Sequence, residues 1–392
     1  MTRSLRDRAV RLLFPPRRLP PSGPPARILI LRPDHLGDLL FATPALARLR
    51  AAFPSAHITG LVGPWSRAVW ERQAALDAIE TLPFPGIVAR PERPWQPYTL
   101  LRAEARRLRA GRYDLAIILR FDYWWGALLA EQAGIPARWG YDLPASAPFL
   151  TDAVAHVGGR HEVEQNITLA EAVVAVTAPL ELPGEQPDRA DGSPPLNFPL
   201  TGDERAWACA VLPKAEPSPT IAIHPGTNGS LKLWTLDGWA AVATWLAERG
   251  CRAVFTGTAA ERPLADAILS RLAPPARAAS LNLVGQTTLG QLAALFAACG
   301  PVLGVDSGPL HIATAVGAPT LRLYGPSDER IWGPWGTAAR NVVVRAPGTQ
   351  PGHFLDPGRH ELEGGPEMQA ITPEQVLAAL AGLLGEADRP PC

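Results

Sequence analysis

Short apolar runs recur along this chain, separated by longer segments whose apolar positions fall three or four residues apart. Arg27–Leu31 (RILIL), 57–63, 79–84, 113–119 and a run near 137–141 predict strands. Between them, the stretch from the polar turn at 32–38 to about Phe53, then 65–78, 98–110, 124–133 and 161–177, predict helices. Thr43-Pro44 interrupts the first of these, as a kink or as a fresh helix start. After a Pro-, Gly- and acid-rich stretch (ELPGEQPDRADGSPPLNFP) the alternation resumes with strands 220–223, 252–256, 280–284, 302–305, 320–324 and 341–345. Helices are expected from Thr201 to about Leu212, then at 235–249, 261–272, 288–298 and 308–316. Strand–helix–strand order throughout predicts an α/β protein with doubly wound parallel sheets.

This pattern divides the chain. A first domain is expected at 27–183, a linker at 184–200 and a second domain at 201–346, two Rossmann-like halves with a cleft between them. Residues 347–392 read as an irregular segment and a closing helix, 373–384, that could pack back on the first domain. Residues 1–26 form a basic arm in which Arg3, Arg6, Arg8, Arg11, Arg17 and Arg18 face one acid, Asp7. It reads either as a foot on an anionic membrane surface or as a disordered arm.

Composition narrows the function classes. A length of 392 residues exceeds one hydrophobic core, and a hydrophobic content of 47% is that of a globular protein. The 37 basic and 37 acidic residues cancel, so no global field favours nucleic acid. The four cysteines match neither a zinc site nor a disulfide framework and read as reduced thiols of a cytoplasmic protein. No apolar run is long enough to span a bilayer.

Candidate chemistry gathers where strands end. Ligands of parallel sheets sit at the carboxyl ends of strands, against the N-terminus of the next helix. In the second half, strand 220–223 leads into His224-Pro-Gly-Thr-Asn-Gly-Ser-Leu-Lys232, a loop whose amides, with Thr227, Ser230 and Lys232, could cradle phosphates. Thr258 and Glu261 follow the next strand; Glu261 completes a capping box or accepts from a ribose. Asp306, Ser307, Gly308 and His311 follow strand 302–305. Their convergence on one sheet edge points to a ligand site. In the first half Asp38 is the catalytic candidate, with Asp34 and His35 competing on spacing alone. Arg120, Asp122 and Trp124 suit a sugar acceptor, although Trp124 and Trp125 could equally begin a buried helix. No metal is expected: there is no DxD pair, and His353, Asp356, His360 and Glu361 fit no ligand template.

Three stretches together resemble a known family. ILILRPDHLGDLLFATPALARLRAAFP at 28–54, IHPGTNGSLKLWTLDGWAAVATWL at 223–246 and GVDSGPLHIATAVGAPTLRLYGPSD at 304–328 resemble the bacterial heptosyltransferases, the ADP-heptose:lipopolysaccharide glycosyltransferases of family 9. The resemblance implies a GT-B fold, with the acceptor on the first domain and the nucleotide sugar on the second. It implies Asp38 as general base, Lys232 with Thr227 at the diphosphate, Glu261 at the ribose, and Asp306, Ser307, Gly308 and His311 in the donor turn. It further implies inverting transfer from ADP-heptose to a cell-envelope glycan acceptor, without an obligatory metal, in a cytoplasmic or peripherally membrane-bound enzyme. The rival expectations are a nucleotide-sugar 2-epimerase and a non-catalytic nucleotide-sugar-binding protein.

Overall fold

The computed structural model describes residues 24–87, 93–178, 192–212, 219–346, 348 and 362–386. The basic arm up to residue 23 and the group His353, Asp356, His360 and Glu361 lie outside the described residues. The chain divides into two compact units, Met1–Pro187 and Asp188–Cys392.

The first unit holds β1 (Arg27–Arg32), α1 (Leu36–Phe41), α2 (Thr43–Ala52), β2 (His57–Val62), α3 (Arg67–Trp70) and β3 (Ala78–Thr81). It continues with α4 (Gln96–Ala110), β4 (Leu115–Ile118), α5 (Trp124–Gln132), β5 (Ala137–Tyr141), β6 (Asp152–Val154) and α6 (Glu162–Thr177). Its sheet is parallel, in the order β3-β2-β1-β4-β5-β6. The strand order therefore reverses between β1 and β4, whose Ile28–Leu31 and Leu115–Ile118 run side by side. Both central strands are apolar and buried, as strands covered by helices on both faces must be.

Two local expectations need correction, and one choice left open by the sequence is decided. The sheet gains a sixth strand, β6, whose exposed, unalternating Asp152–Val154 carries no hydrophobic period. The helix expected at 65–78 shrinks to the four residues of α3; it ends at the buried Trp70, which donates from Nε1 to Leu39 O at 3.0 Å, and turns follow. Thr43-Pro44 opens a new helix, with Thr43 Oγ1 donating back to Leu40 O at 2.7 Å.

The second unit holds α7 (Gly202–Val211), β7 (Thr220–His224), α8 (Leu236–Glu248), β8 (Arg252–Phe255), α9 (Arg262–Leu269), α10 (Pro274–Ala278) and β9 (Ser280–Asn282). There follow α11 (Leu289–Ala298), β10 (Val302–Val305), α12 (Gly308–Ala315), β11 (Thr320–Tyr324), α13 (Glu329–Trp332), β12 (Asn341–Arg345), α14 (Pro366–Gln369) and α15 (Pro373–Glu386). Its parallel sheet runs β12-β11-β10-β7-β8-β9, reversing between β7 and β10. Gly317, at φ +83°, ends α12 in the left-handed region open to glycine, and Thr320 then starts β11.

The closing helix α15 buries Val376, Leu380 and Leu383 in the second unit's core, beside Trp234, Trp239 and Val344. At about 1.5–3 kcal/mol for each fully buried aliphatic side chain, these three anchor it firmly. The segment before it, expected to be irregular to residue 370, forms the short α14, whose buried Met368 touches Gly325. Its lead-in braces the 224–236 loop: Gly365 N donates to Leu231 O at 3.2 Å, and Glu363 Oε1 accepts from Leu236 N at 2.9 Å.

Candidate active site

In the first unit the charged cluster sits at the switch point, where β1 and β4 release their loops. Arg32, the last residue of β1, is buried, and its guanidinium is the hub. Nε lies 2.7 Å from Asp34 Oδ2, and Nη2 lies 3.0 Å from Glu162 Oε2 and 3.6 Å from Asp38 Oδ1. Nη1 donates to Leu119 O at 2.9 Å and to Asn166 Oδ1 at 3.0 Å. Asn166 in turn donates to Phe41 O at 3.3 Å, so α6 ties β1 to the end of α1. From the β4 side Arg120 pairs with Asp34 and, from Nε at 2.7 Å, with Asp122.

Asp38 is the third residue of α1. Its Oδ2 accepts from His35 N–H at 3.3 Å, a capping role that also fixes the carboxylate at the helix start. Its side chain keeps 25% exposure, whereas those of Asp34 and Glu162 keep 5% and 4%. Of these three, Asp38 alone is open to a substrate. Burial, then the neighbouring charge of Asp34, push its carboxyl up to about 7, with Glu162 adding to the rise and Arg32 and Arg120 opposing it. The Arg32 guanidinium is held more firmly protonated than usual: burial alone would lower it, but Asp34, Glu162 and Asp38 outweigh that. An open carboxylate that titrates near neutrality, beside fixed positive charge, can accept a proton from a hydroxyl.

The second unit repeats the arrangement with different chemistry. The loops leaving β7 and β10 meet at its switch point. Lys232 Nζ donates to Asp306 Oδ2 at 3.1 Å, and Thr227 Oγ1 donates to Asp306 O at 3.2 Å. Ser307 occupies the N-cap position of α12, and its buried Oγ has no hydrogen-bond partner among the described residues. Ser230 lies half-buried in the 3-10 turn Ser230–Lys232, which presents Lys232. Glu261 forms the capping box that its spacing allows: Oε2 accepts from Thr258 N at 2.6 Å and from Thr258 Oγ1 at 2.8 Å. Its other oxygen lies against Gly226, where a Cβ would overlap the carboxylate, so the glycine lets the loop and the side chain approach this closely. His224 is buried, its Nδ1 3.0 Å from Thr256 Oγ1, and burial lowers its proton affinity despite Glu261.

Structure brings Thr227, Lys232, Asp306, Ser307 and Gly308 together. His311 stands differently. It is buried, and its Nδ1 lies 2.9 Å from Arg322 Nη1, so that nitrogen faces a donor from within the fold. Arg322 is itself fully buried and also donates to Leu310 O at 2.7 Å. Trp124 packs on the margin of the first unit's core and Trp125 within it. Sequence reasoning missed Glu162 and Asn166 as site residues, and Arg32 as the hub. The available signal was a charged residue closing a continuous apolar strand, which burial would oblige to find partners. Among the described residues no group of three or more His, Cys, Asp or Glu could hold a metal ion, and no helix is long and apolar enough to cross a membrane.

Two six-stranded parallel sheets, each with polar groups at its switch point, are the GT-B-type fold that the solved heptosyltransferases share. The model of glycosyltransferase family 9 (heptosyltransferase) matches residues 101–353, and the chain belongs to that family. It is 29% identical over 376 residues to lipopolysaccharide heptosyltransferase 2 of Salmonella typhimurium, covering 92% of this chain and 99% of that one. It is 27% identical to lipopolysaccharide heptosyltransferase 3 of Escherichia coli, over 89% of this chain and 96% of the relative. Among solved structures, ADP-heptose lipopolysaccharide heptosyltransferase II of E. coli superposes with a TM-score of 0.69 at 26% identity, covering 92% of this chain and 99% of that one. A family 9 glycosyl transferase from Veillonella parvula shares the fold with a TM-score of 0.72 at 23% identity, over 95% and 100% of the two chains.

Proposed function

We propose that this glycosyltransferase moves heptose from ADP-heptose to a hydroxyl of a lipopolysaccharide-core-type acceptor, with inversion at the anomeric carbon. The observation that carries the reading is Asp38: a partly open carboxylate at the switch point of the first unit, whose proton affinity is raised by burial and then by the charge of Asp34. The family, and the names of the relatives, supply the donor and the acceptor class.

In the reaction, the Asp38 carboxylate takes the proton of the acceptor hydroxyl. That oxygen forms the new bond to the anomeric carbon as the bond from that carbon to the diphosphate oxygen breaks. The electron pair leaves with ADP. Lys232, Thr227 and the amides at the start of α12 are suited to that charge, because a helix N-terminus and a lysine both favour an anion. Glu261 and Asp306 hold these loops in place, while Arg120 and Asp122 flank Asp34 beside the acceptor hydroxyl's base. Contact with the membrane surface belongs to the same reading, since an acceptor of this class is carried by lipid.

The test is transfer itself. ADP-heptose and a heptose-deficient core acceptor are incubated with the protein, and the product is followed by mass spectrometry, with the anomeric configuration read by NMR. Product of inverted configuration supports the reading. Epimerised donor in the absence of acceptor, or donor binding with no transfer, overturns it.

A further inference from the structure

Helix α4 carries a feature that the transfer chemistry does not use. Residues 93–112 contain six arginines (Arg93, Arg102, Arg106, Arg107, Arg109, Arg112) and one acid, Glu104, in a chain whose net charge is zero. The helix buries Leu101, Ala105 and Leu108. Trp95, Thr99, Arg102, Arg106 and Arg109 recur at the alternating four- and three-residue steps that align side chains along one face of a helix. All five are exposed, and Trp95 keeps 58% of its surface. Arg107 is paired with Glu80 and Glu104, and Arg109 with Gln132 O, while Arg102 and Arg106 have no partner among the described residues. Arg93 lies over the Trp95 ring, 5.8 Å from its centroid.

The position of this stripe matters. In a parallel sheet the helix after β3 starts beside the strands' carboxyl ends. Trp125 Nε1 donates to Pro97 O at 3.1 Å, and Tyr123 OH to Pro85 O at 3.1 Å. The first bond ties the start of α4 to the start of α5, directly behind the loop that carries Arg120 and Asp122, and the second ties that loop to the segment leaving β3. The tryptophan end of the stripe is therefore at the same sheet edge as the charged cluster.

The geometry points to the outer face of α4 as a docking surface for an anionic lipid bilayer, with Trp95 at headgroup depth and Arg102 and Arg106 on the lipid phosphates. Charge complementarity argues for it: arginines forming no internal pair are free to meet phosphate, and an exposed tryptophan prefers the interface between water and hydrocarbon. The face offers little apolar area beyond Trp95, so the interaction is an electrostatic seat on the surface and not an insertion. Lipid as the partner leans on the proposed function, because such docking would set a lipid-borne acceptor beside the first unit's cluster. Binding itself is independent of that reading.

The experiment is co-sedimentation of the full chain with vesicles of phosphatidylethanolamine and phosphatidylglycerol, against vesicles of phosphatidylcholine alone. Expected is binding to the anionic vesicles only, released by high salt. Each surface arginine contributes about fivefold to partitioning. Arg102→Glu with Arg106→Glu should therefore weaken binding at least about 25-fold, and Trp95→Ala by a smaller factor. A matched variant, Arg3→Glu with Arg6→Glu, should retain most of the binding. Thermal melts check that the exposed substitutions leave the fold intact. Binding unchanged in the α4 variant, equal binding to phosphatidylcholine, no vesicle binding at all, or retention that RNA abolishes by competing for the same arginines would each overturn the proposal. Because the readout is vesicle binding, a failed transfer assay would leave the docking surface standing.

Discussion

The Arg32 guanidinium lies 3.6 Å from the Asp38 carboxylate while holding Asp34 at 2.7 Å and Glu162 at 3.0 Å. One positive charge thus serves three carboxylates, and Asp38 receives the weakest share. Its two competitors are buried and close-paired; Asp38 is farther and partly open. Burial, then the charge of Asp34, push the Asp38 carboxyl up to about 7, and Arg32 opposes them only in part.

If Asp38 is the base, its protonation disables transfer. Its carboxyl titrates at about 7, so kcat/KM should rise with pH through that point and fall off on the acid side. Asp38→Asn should lower turnover by about 10²–10⁴-fold, the contribution of a general base, while calorimetric affinity for ADP stays close to wild type. Unaltered turnover in the variant removes Asp38 from the role.

Glu162 tests the electrostatic part separately. Its charge raises Asp38, so Glu162→Gln should move the acid limb of the pH profile to lower pH. The glutamine can still accept from Arg32, which preserves the link between β1 and α6. The same pH profile with only a reduced melting temperature would assign Glu162 a structural role alone.

Function and stability should oppose each other at Asp38. Its folded carboxyl titrates above the ordinary carboxylate range, so the ionised form penalises the fold. The penalty is absent below the unfolded value, near pH 4, grows as pH rises, and is complete above about 7. Asn removes it. Asp38→Asn should therefore melt higher than wild type at pH 8, by a margin on the order of 1–2 kcal/mol after allowing for the open part of the side chain, and the gap should close at pH 4. Scanning calorimetry at the two pH values decides this.

How much of this could be read from the chain depends on the kind of residue. The central strands announce themselves as apolar runs, and the turn after β1 as polar residues directly behind one. Asp38, Lys232 and Asp306 follow from those positions. Glu162 does not: an acid at the first position of a helix is already explained by the helix dipole, and its partner Arg32 lies 130 residues away. Arg322 hides inside an apolar strand, TLRLY, where only the fold shows that His311 and the Leu310 carbonyl receive it. Likewise β6 is short and without alternation, and α15 carries an apolar face that does not name the core it joins. Local signals survive in the sequence; the choice of long-range partner does not.

The ion pair in the second unit gives a direct test of the donor site. Lys232 and Asp306 are 3.1 Å apart with side-chain exposures of 18% and 10%. Lys232→Ala removes a charge suited to the diphosphate and leaves Asp306 repelling it. Hydrogen bonds to charged groups contribute about 1.5–3 kcal/mol, so ADP affinity should fall roughly 10- to 100-fold. Calorimetric titration with ADP measures this, and unchanged affinity counts against the diphosphate reading.

The packing of Gly226 against Glu261 predicts a steric effect on the same loop. A methyl on Gly226 would overlap the Glu261 carboxylate, which is fixed by two bonds to Thr258. Either the β7 loop retreats or Glu261 leaves its cap. Overpacking of this kind costs about 1–3 kcal/mol, and the loss of a cap about 1 kcal/mol. Gly226→Ala should therefore lower the melting temperature and weaken ADP binding together, since Thr227 and Lys232 ride on the displaced loop. Gly257→Ala is the control: its methyl would meet Glu261 Oε2 at 3.1 Å, a contact that a small shift relieves. If Gly226→Ala binds ADP as the wild type does while Gly257→Ala does not, the β7 loop is not what positions the nucleotide.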